Sequence, residues 1–245
     1  MKQVNKQRWD IAQKSELDFW KEYVSSSFDM SRYNLRCKEK LNRLLKIWNN
    51  YIVINKNTRI LDIGGPIDII NQFKTGKLFS IEPLADYFKS NFKFNYKLSN
   101  IIRATGEEIP FPDKYFDLVI INNVIDHTHF PEKVLDEIHR VLKDNGIMNL
   151  EVNVYLKSFL FLSKVYGFFK KIFTREIFNI HHPYMFKSKE IDDMVEKRFI
   201  ILNKRIEDKE KSKETMKNLR LRIVKKFGIL GSIHYALICK KKKGN

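Results

Sequence analysis

Two groups of residues in this chain have the types and spacing to do chemistry. The first is Asp126-His127, with His129 two positions on, just beyond the apolar run 115–122 that ends in Asn122. Imidazole changes charge near neutral pH, so a histidine here can take a proton from an attacking hydroxyl or amine. The adjacent carboxylate of Asp126 can orient that ring or meet a ligand's ammonium group. The second group spans 58–82. A short apolar run leads to Asp62, Gly64-Gly65 and Pro66 follow, and a second apolar run ends in Glu82 and Pro83. Paired glycines let the backbone turn sharply and come close to a ligand. A carboxylate about 20 residues further on, at the tip of the next strand, can accept both hydroxyls of a ribose.

The same residues narrow the ligand. A dinucleotide site uses G-x-G-x-x-G to seat a pyrophosphate on a helix N-terminus. This turn has only two adjacent glycines, and Asp62 beside it would repel phosphate. It suits a ligand with a ribose, no phosphate and a positive charge, a description that S-adenosylmethionine meets.

Regular elements must hold these groups. Residues 8–23 place Trp9, Ala12, Glu16 and Phe19-Trp20 at helical spacing, and 38–48 is a second helix with Leu41, Leu44, Leu45 and Trp48 on one face. Ile67, Ile70 and Phe73 are spaced as on a helix begun at Pro66. Strands are expected at 59–63, 77–81, 100–104, 115–122, 147–154, 199–206 and 232–240, with Asn145-Gly146 turning into the fifth. Helices fall at 83–92, 131–142, 189–197 (Ser188 as its cap) and 207–227. Repeated strand–helix alternation of this kind makes a parallel sheet with right-handed crossovers.

Three stretches carry a resemblance. ILDIGGP, then IEPLADYF, then ATGEEIPFPDKYFDLVIINNVIDHTHFPEKVLDEIHRVLKDNGIMNLEV, resemble the successive motifs of class I S-adenosylmethionine-dependent methyltransferases, in the small-molecule "type 11" branch. The likeness runs from about residue 58 to 154 and resumes weakly at 182–199; the stretch 106–142 is its most specific part. It implies an α/β fold: a Rossmann-like doubly wound sheet of about seven strands, mostly parallel, with an antiparallel last strand inserted between the fifth and sixth. N-terminal helices and a helical lid would be added to it. It assigns cofactor binding to Asp62, Gly64, Gly65, Glu82, Pro83, Thr105, Gly106, Glu107 and Asn122, and catalysis to His127 with Asp126. Trp20, His129, His182 and Tyr184 would face the methyl acceptor, a small molecule such as a sugar or a lipid or quinone precursor. Two positions depart from the family pattern. The turn Asp62-Ile63-Gly64-Gly65 is one residue shorter than D-x-G-x-G, and Thr105 stands where an acid usually meets the adenine amine. Both departures keep open a second reading, a cofactor-free partner subunit of methyltransferase shape.

The chain then divides into a helical cap (1–50), the first half of the sheet (51–154), a helical lid (155–186), the remainder of the same domain (187–240) and a basic disordered tail (241–245). Its 245 residues are 43% apolar with a net charge of +17. That charge has two readings, an anionic partner or a Lys-, Ile- and Asn-rich coding bias, and the second is favoured. The basic C-terminal stretch admits an RNA methyltransferase as a further alternative, although no base-flipping N-P-P-Y-type loop follows the fourth strand. The stretch 155–174 is a basic amphipathic helix that could rest on an anionic membrane or cap the protein's own core. Two distant cysteines, no apolar leader and no 18-residue apolar run fit a cytoplasmic protein, peripheral to the membrane at most. The histidine pairs lack acid or cysteine partners at ligand spacing, so no metal is expected. Oligomeric state leaves no mark on the sequence.

Overall fold

In a computed structural model the described residues are 4, 6–25, 29–156, 160, 183–207 and 232–242. The lid stretch 161–182 with His182, the stretch 208–231 and the last three residues lie outside them. Strands β1 (Arg59–Ile63), β2 (Lys77–Ile81), β3 (Ile101–Ile102), β4 (Phe116–Asn122), β5 (Leu142–Tyr155), β6 (Phe199–Glu207) and β7 (Ser232–Lys241) form one sheet in the order β3-β2-β1-β4-β5-β7-β6. The pairs from β3 through β5 are parallel. β7 runs antiparallel between β5 and β6. β1 lies between β2 and β4, so the strand order reverses there and the carboxyl ends of these strands open into a crevice.

Helices cover both faces. α1 (Lys6–Ser25) and α2 (Met30–Trp48) precede the sheet; α3 (Ala85–Asn91), α4 (Pro131–Val141) and α5 (Ser188–Glu196) follow later in the chain. Alternation along the strands sorts the core into two layers. Leu61, Ile63, Val119, Ile121, Met148 and Leu150 face α4 and α5, meeting Val134, Leu135, Ile138, Ile191 and Val195. Ile60, Leu118, Ile120, Ile147 and Ile238 face Leu41, Leu44 and Trp48 of α2. Trp48 is fully buried, stacks on Phe73 at 6.2 Å, and donates its indole N–H to Asn149 Oδ1 at 3.1 Å.

Several elements differ from their sequence expectation. The helix expected after Pro66 is one 3-10 turn, Ile69–Gln72. Neither flanking residue is helical (Asp68 ψ −144°, Phe73 ψ 136°), which stops an α-helix on both sides, yet Ile67, Ile70 and Phe73 still turn into the core. α2 starts at Met30, eight residues earlier than its apolar stripe suggests, because the Asp29 side chain accepts the N–H of Arg32. β5 begins at Leu142, so Asn145-Gly146 is not a turn between elements. Leu142 stands opposite Phe116 but Ile147 opposite Leu118, and the intervening residues bulge. β3 is cut to two residues. Lys187 rather than Ser188 precedes α5, its N–H bonded to Glu190 Oε2 at 2.8 Å.

Because Trp48 ties α2 to the sheet by both packing and a buried hydrogen bond, Trp48→Ala should cost about 3–5 kcal/mol of unfolding free energy, read as a lower urea midpoint by circular dichroism. A midpoint within error of wild type would show that α2 is not part of the cooperative core.

Candidate functional site

The crevice is a cleft of about 620 Å³, open to solvent, above the carboxyl ends of β1, β2 and β4. Its floor and walls are Ile63, Gly64, Ile81, Glu82, Pro83, Ala104, Thr105, Gly106, Glu107, Asn123, Val124, His127 and Thr128. Helix α1 roofs it with Trp9, Gln13, Glu16 and Trp20.

The glycine turn is built by exclusion. Gly64 has φ +77°, and a Cβ there would lie 2.6 Å from Val124 Cγ2. Beside it the Gly65 N–H donates to Asp62 Oδ2 at 2.9 Å. Asp62 is 1% exposed and lies beneath the turn rather than on the cleft wall. Burial, reinforced by Asp68, pushes its carboxyl well above the usual range. Asp62 and Gly65 therefore shape the loop, and Gly64 presents the open backbone. At the tip of β2, Glu82 accepts the N–H of Leu84 at 2.9 Å on Oε1 and faces the cleft. Burial raises it to about 7, against the pull of that N–H, and the charge of Glu16 adds to the rise. A buried carboxylate beside an open glycine turn is the arrangement that takes a vicinal diol.

On the opposite wall a Cβ on Gly106 would come within 3.0 Å of Val134 Cγ1. Glu107, although a cleft residue, uses Oε1 to accept the N–H groups of His129 (2.7 Å) and Phe130 (3.0 Å). It anchors the loop that follows β4. Asn122 turns away from the cleft and accepts Asn149 Nδ2–H at 3.1 Å. The cleft residue there is its neighbour Asn123, held at φ 53°. Asparagine tolerates the left-handed region better than most residues, a signal present in the sequence.

His127 faces the cleft. Its Nδ1 lies 3.8 Å from Glu16 Oε2, and its Nε2 lies 3.8 Å from Oδ2 of fully buried Asp126. Trp9 donates its indole N–H to the His127 carbonyl at 3.1 Å. Trp20 lines the cleft and donates to Glu16 Oε1 at 2.9 Å. His129 and Tyr184 are braces instead. The Tyr184 hydroxyl donates to the His129 carbonyl at 2.9 Å and accepts the Val4 N–H at 3.0 Å, while the His129 ring packs against Trp9.

Residues of α2 that motif reading passes over support the glycine turn from behind. Lys40 Nζ lies 2.9 Å from Glu151 Oε2 and 3.6 Å from Asp68 Oδ2. Cys37 donates to Asp68 Oδ1 at 3.2 Å, and His234 lies 3.2 Å from Glu151. Burial alone would raise Glu151, but His234 and Lys40 override it and hold the carboxyl down to about 2. The spacing of Cys37, Lys40, Leu41 and Leu44 marks one helix face, but only the fold shows what that face meets.

Comparisons with known proteins agree with this geometry. Residues 79–150 match the methyltransferase domain family. An uncharacterised protein of Methanocaldococcus jannaschii is 35% identical over 89 residues, 36% of this chain and 41% of that protein. The ubiquinone/menaquinone biosynthesis C-methyltransferase UbiE of Psychromonas ingrahamii is 32% identical over 144 residues, 51% of this chain and 55% of that enzyme. The chain thus spans about half the length of the curated relatives it matches. Among solved structures, a SAM-dependent methyltransferase from Methanosarcina mazei superposes with TM-score 0.53 at 17% identity, over 81% of this chain and 98% of that one. The [4+2]-cyclase SpnF superposes with TM-score 0.55 at 14% identity, over 82% and 81%. Fold and cleft define a Rossmann-like methyltransferase fold. Within that fold, residues 79–150 carry the match to the methyltransferase domain family.

Lys40 neutralises two carboxylates behind the turn. Lys40→Met should therefore cost about 2 kcal/mol at pH 7, less than for a fully sealed pair because the lysine is 24% exposed. Chemical denaturation checks this, and an unchanged midpoint would remove Lys40 from the support of the loop.

Proposed function

We propose that the protein transfers a methyl group from S-adenosylmethionine to a small-molecule acceptor by direct in-line displacement. The observation that carries this reading is the juxtaposition of three features in one cleft: buried Glu82 at the tip of β2, the turn at Gly64 where no Cβ fits, and His127 on the loop after β4. These residues fit the cofactor. Glu82 would accept the ribose hydroxyls, Gly64 would let the backbone lie against the ligand, and Thr105, Gly106 and Glu107 would form the wall beside the base.

When bound, S-adenosylmethionine supplies a methyl group already activated on a sulfonium. The chain's own part is to place the acceptor in line, exclude water and handle one proton. Trp9 and Trp20 set two indoles into the roof beside Gln13 and Glu16. His127 takes the proton from the acceptor's nucleophilic atom, and Asp126, buried behind the ring, stabilises the imidazolium that results. No covalent intermediate with the protein is required.

The acceptor class we favour is a hydroquinone-like ring. The UbiE relatives act on ubiquinone and menaquinone precursors by their name, and two indoles suit a flat apolar ring.

Titration calorimetry with S-adenosylhomocysteine tests the cofactor site. The ribose donates to ionised Glu82, whose carboxyl sits up at about 7. Between pH 6 and pH 8 its ionised share climbs from about a tenth to about nine tenths, so affinity should tighten about tenfold. Glu82→Gln should bind more weakly and with no such rise. Absence of binding by the wild type would favour a cofactor-free partner subunit instead. With labelled S-adenosylmethionine and a 1,4-naphthohydroquinone bearing a free ring carbon, His127→Asn should lower kcat by about 10²-fold or more. An unchanged kcat would remove the histidine from proton transfer.

A further inference from the structure

We propose that Glu16 is a positioning residue for His127, so that helix α1 completes the acceptor end of the cleft. This deepens the methyl-transfer reading and rests on it for the role of His127. The inference starts from how Glu16 is held. One carboxylate oxygen is fixed by the Trp20 indole at 2.9 Å, which aims the other at the imidazole, 3.8 Å from Nδ1. The far side of the ring faces Asp126, also at 3.8 Å. The histidine thus sits between two carboxylates that come from different parts of the fold, Asp126 from the 3-10 turn after β4 and Glu16 from the roof.

At 3.8 Å the Glu16 contact is too long for a hydrogen bond, and it becomes a charge attraction when the ring takes up a proton. Contacts at catalytic centres are often long before substrate binds and tighten in the complex. A side chain half-open to water on its own would gain little from such a pair. Here the carboxylate is pre-aimed, and two further bonds hold helix and loop in register. The Trp9 indole donates to the carbonyl of His127 itself. The N–H of Val4, two residues before α1, donates to the Tyr184 hydroxyl, which in turn donates to the carbonyl of His129. From the opposite side Glu107 holds the N–H groups of His129 and Phe130. The loop is gripped from above by α1 and from the sheet side by Glu107. Undocking α1 would remove two aromatic walls and one of the two carboxylates around the ring at a single stroke.

The test uses the full chain labelled with ¹⁵N. Ring signals of His127 are assigned by their loss in His127→Asn. Glu16→Gln keeps an oxygen for the Trp20 indole but removes the charge, and it should shift the His127 ring signals. Asp10→Asn, on the exposed side of the same helix, should leave them in place. With the naphthohydroquinone acceptor, Glu16→Gln should lower kcat about tenfold. The KM for S-adenosylmethionine should stay within about threefold, and Glu16→Asp should recover part of the rate. His127 ring signals that do not respond to Glu16→Gln, or respond equally to Asp10→Asn, would overturn the proposal. A wild type that fails to bind S-adenosylhomocysteine would sink the methyl-transfer reading instead, while the ring signals would still decide whether Glu16 orients His127.

Discussion

The buried carboxylate of Asp62 and the N–H of Gly65 make the bond on which the cleft depends. β1 must stop and reverse so that backbone, not side chain, faces the cleft, and the reversal contains Gly64 in the left-handed region. A buried donor left without an acceptor would cost about 1–3 kcal/mol; Asp62 supplies the acceptor from the end of the same strand. That places an acid where burial opposes its charge. Asp68 adds to that opposition, and Lys40, set between Asp68 and Glu151 behind the turn, works against it. Helix α2 and strand β5 thus contribute to a loop that neither touches by sequence.

The loop after β4 is held in the same way, by groups from distant parts of the chain. Glu107 from the segment after β3 takes its N–H groups, Tyr184 takes a carbonyl, and Trp9 takes another. None of these bonds is worth much alone. Together they fix the backbone of the loop that carries His127.

Superposition on both a methyltransferase and a cyclase shows why the fold cannot name the reaction. What distinguishes one activity from another is the set of side chains at the switch point and the elements laid over it. In this chain the walls come from the sheet edge, and the roof comes from α1, a part with weak likeness to any family motif.

The sequence by itself determined most element positions, because a strand buried on both faces and an amphipathic helix write their periods directly into residue order, while the place of the last strand between the fifth and sixth followed from the family resemblance. It also brought Gly64, Glu82, Thr105, Gly106, Glu107 and His127 to one edge, since parallel strands with right-handed crossovers end on the same side. It did not determine which of the neighbouring polar residues would face the cleft. Asp62 and Gly65 went beneath the turn, Asn122 turned back to Asn149 and left its place to Asn123, and His129 and Tyr184 became braces. A single residue's rotation decides such cases, and rotation is set by contacts far away in the chain. Nor could periodicity tell that Lys40 would meet Glu151, 111 positions on, or that Glu16 would meet His127, also 111 on. A helix face shows in the sequence as a stripe of residues, but what the stripe touches is decided only when the chain folds back on itself.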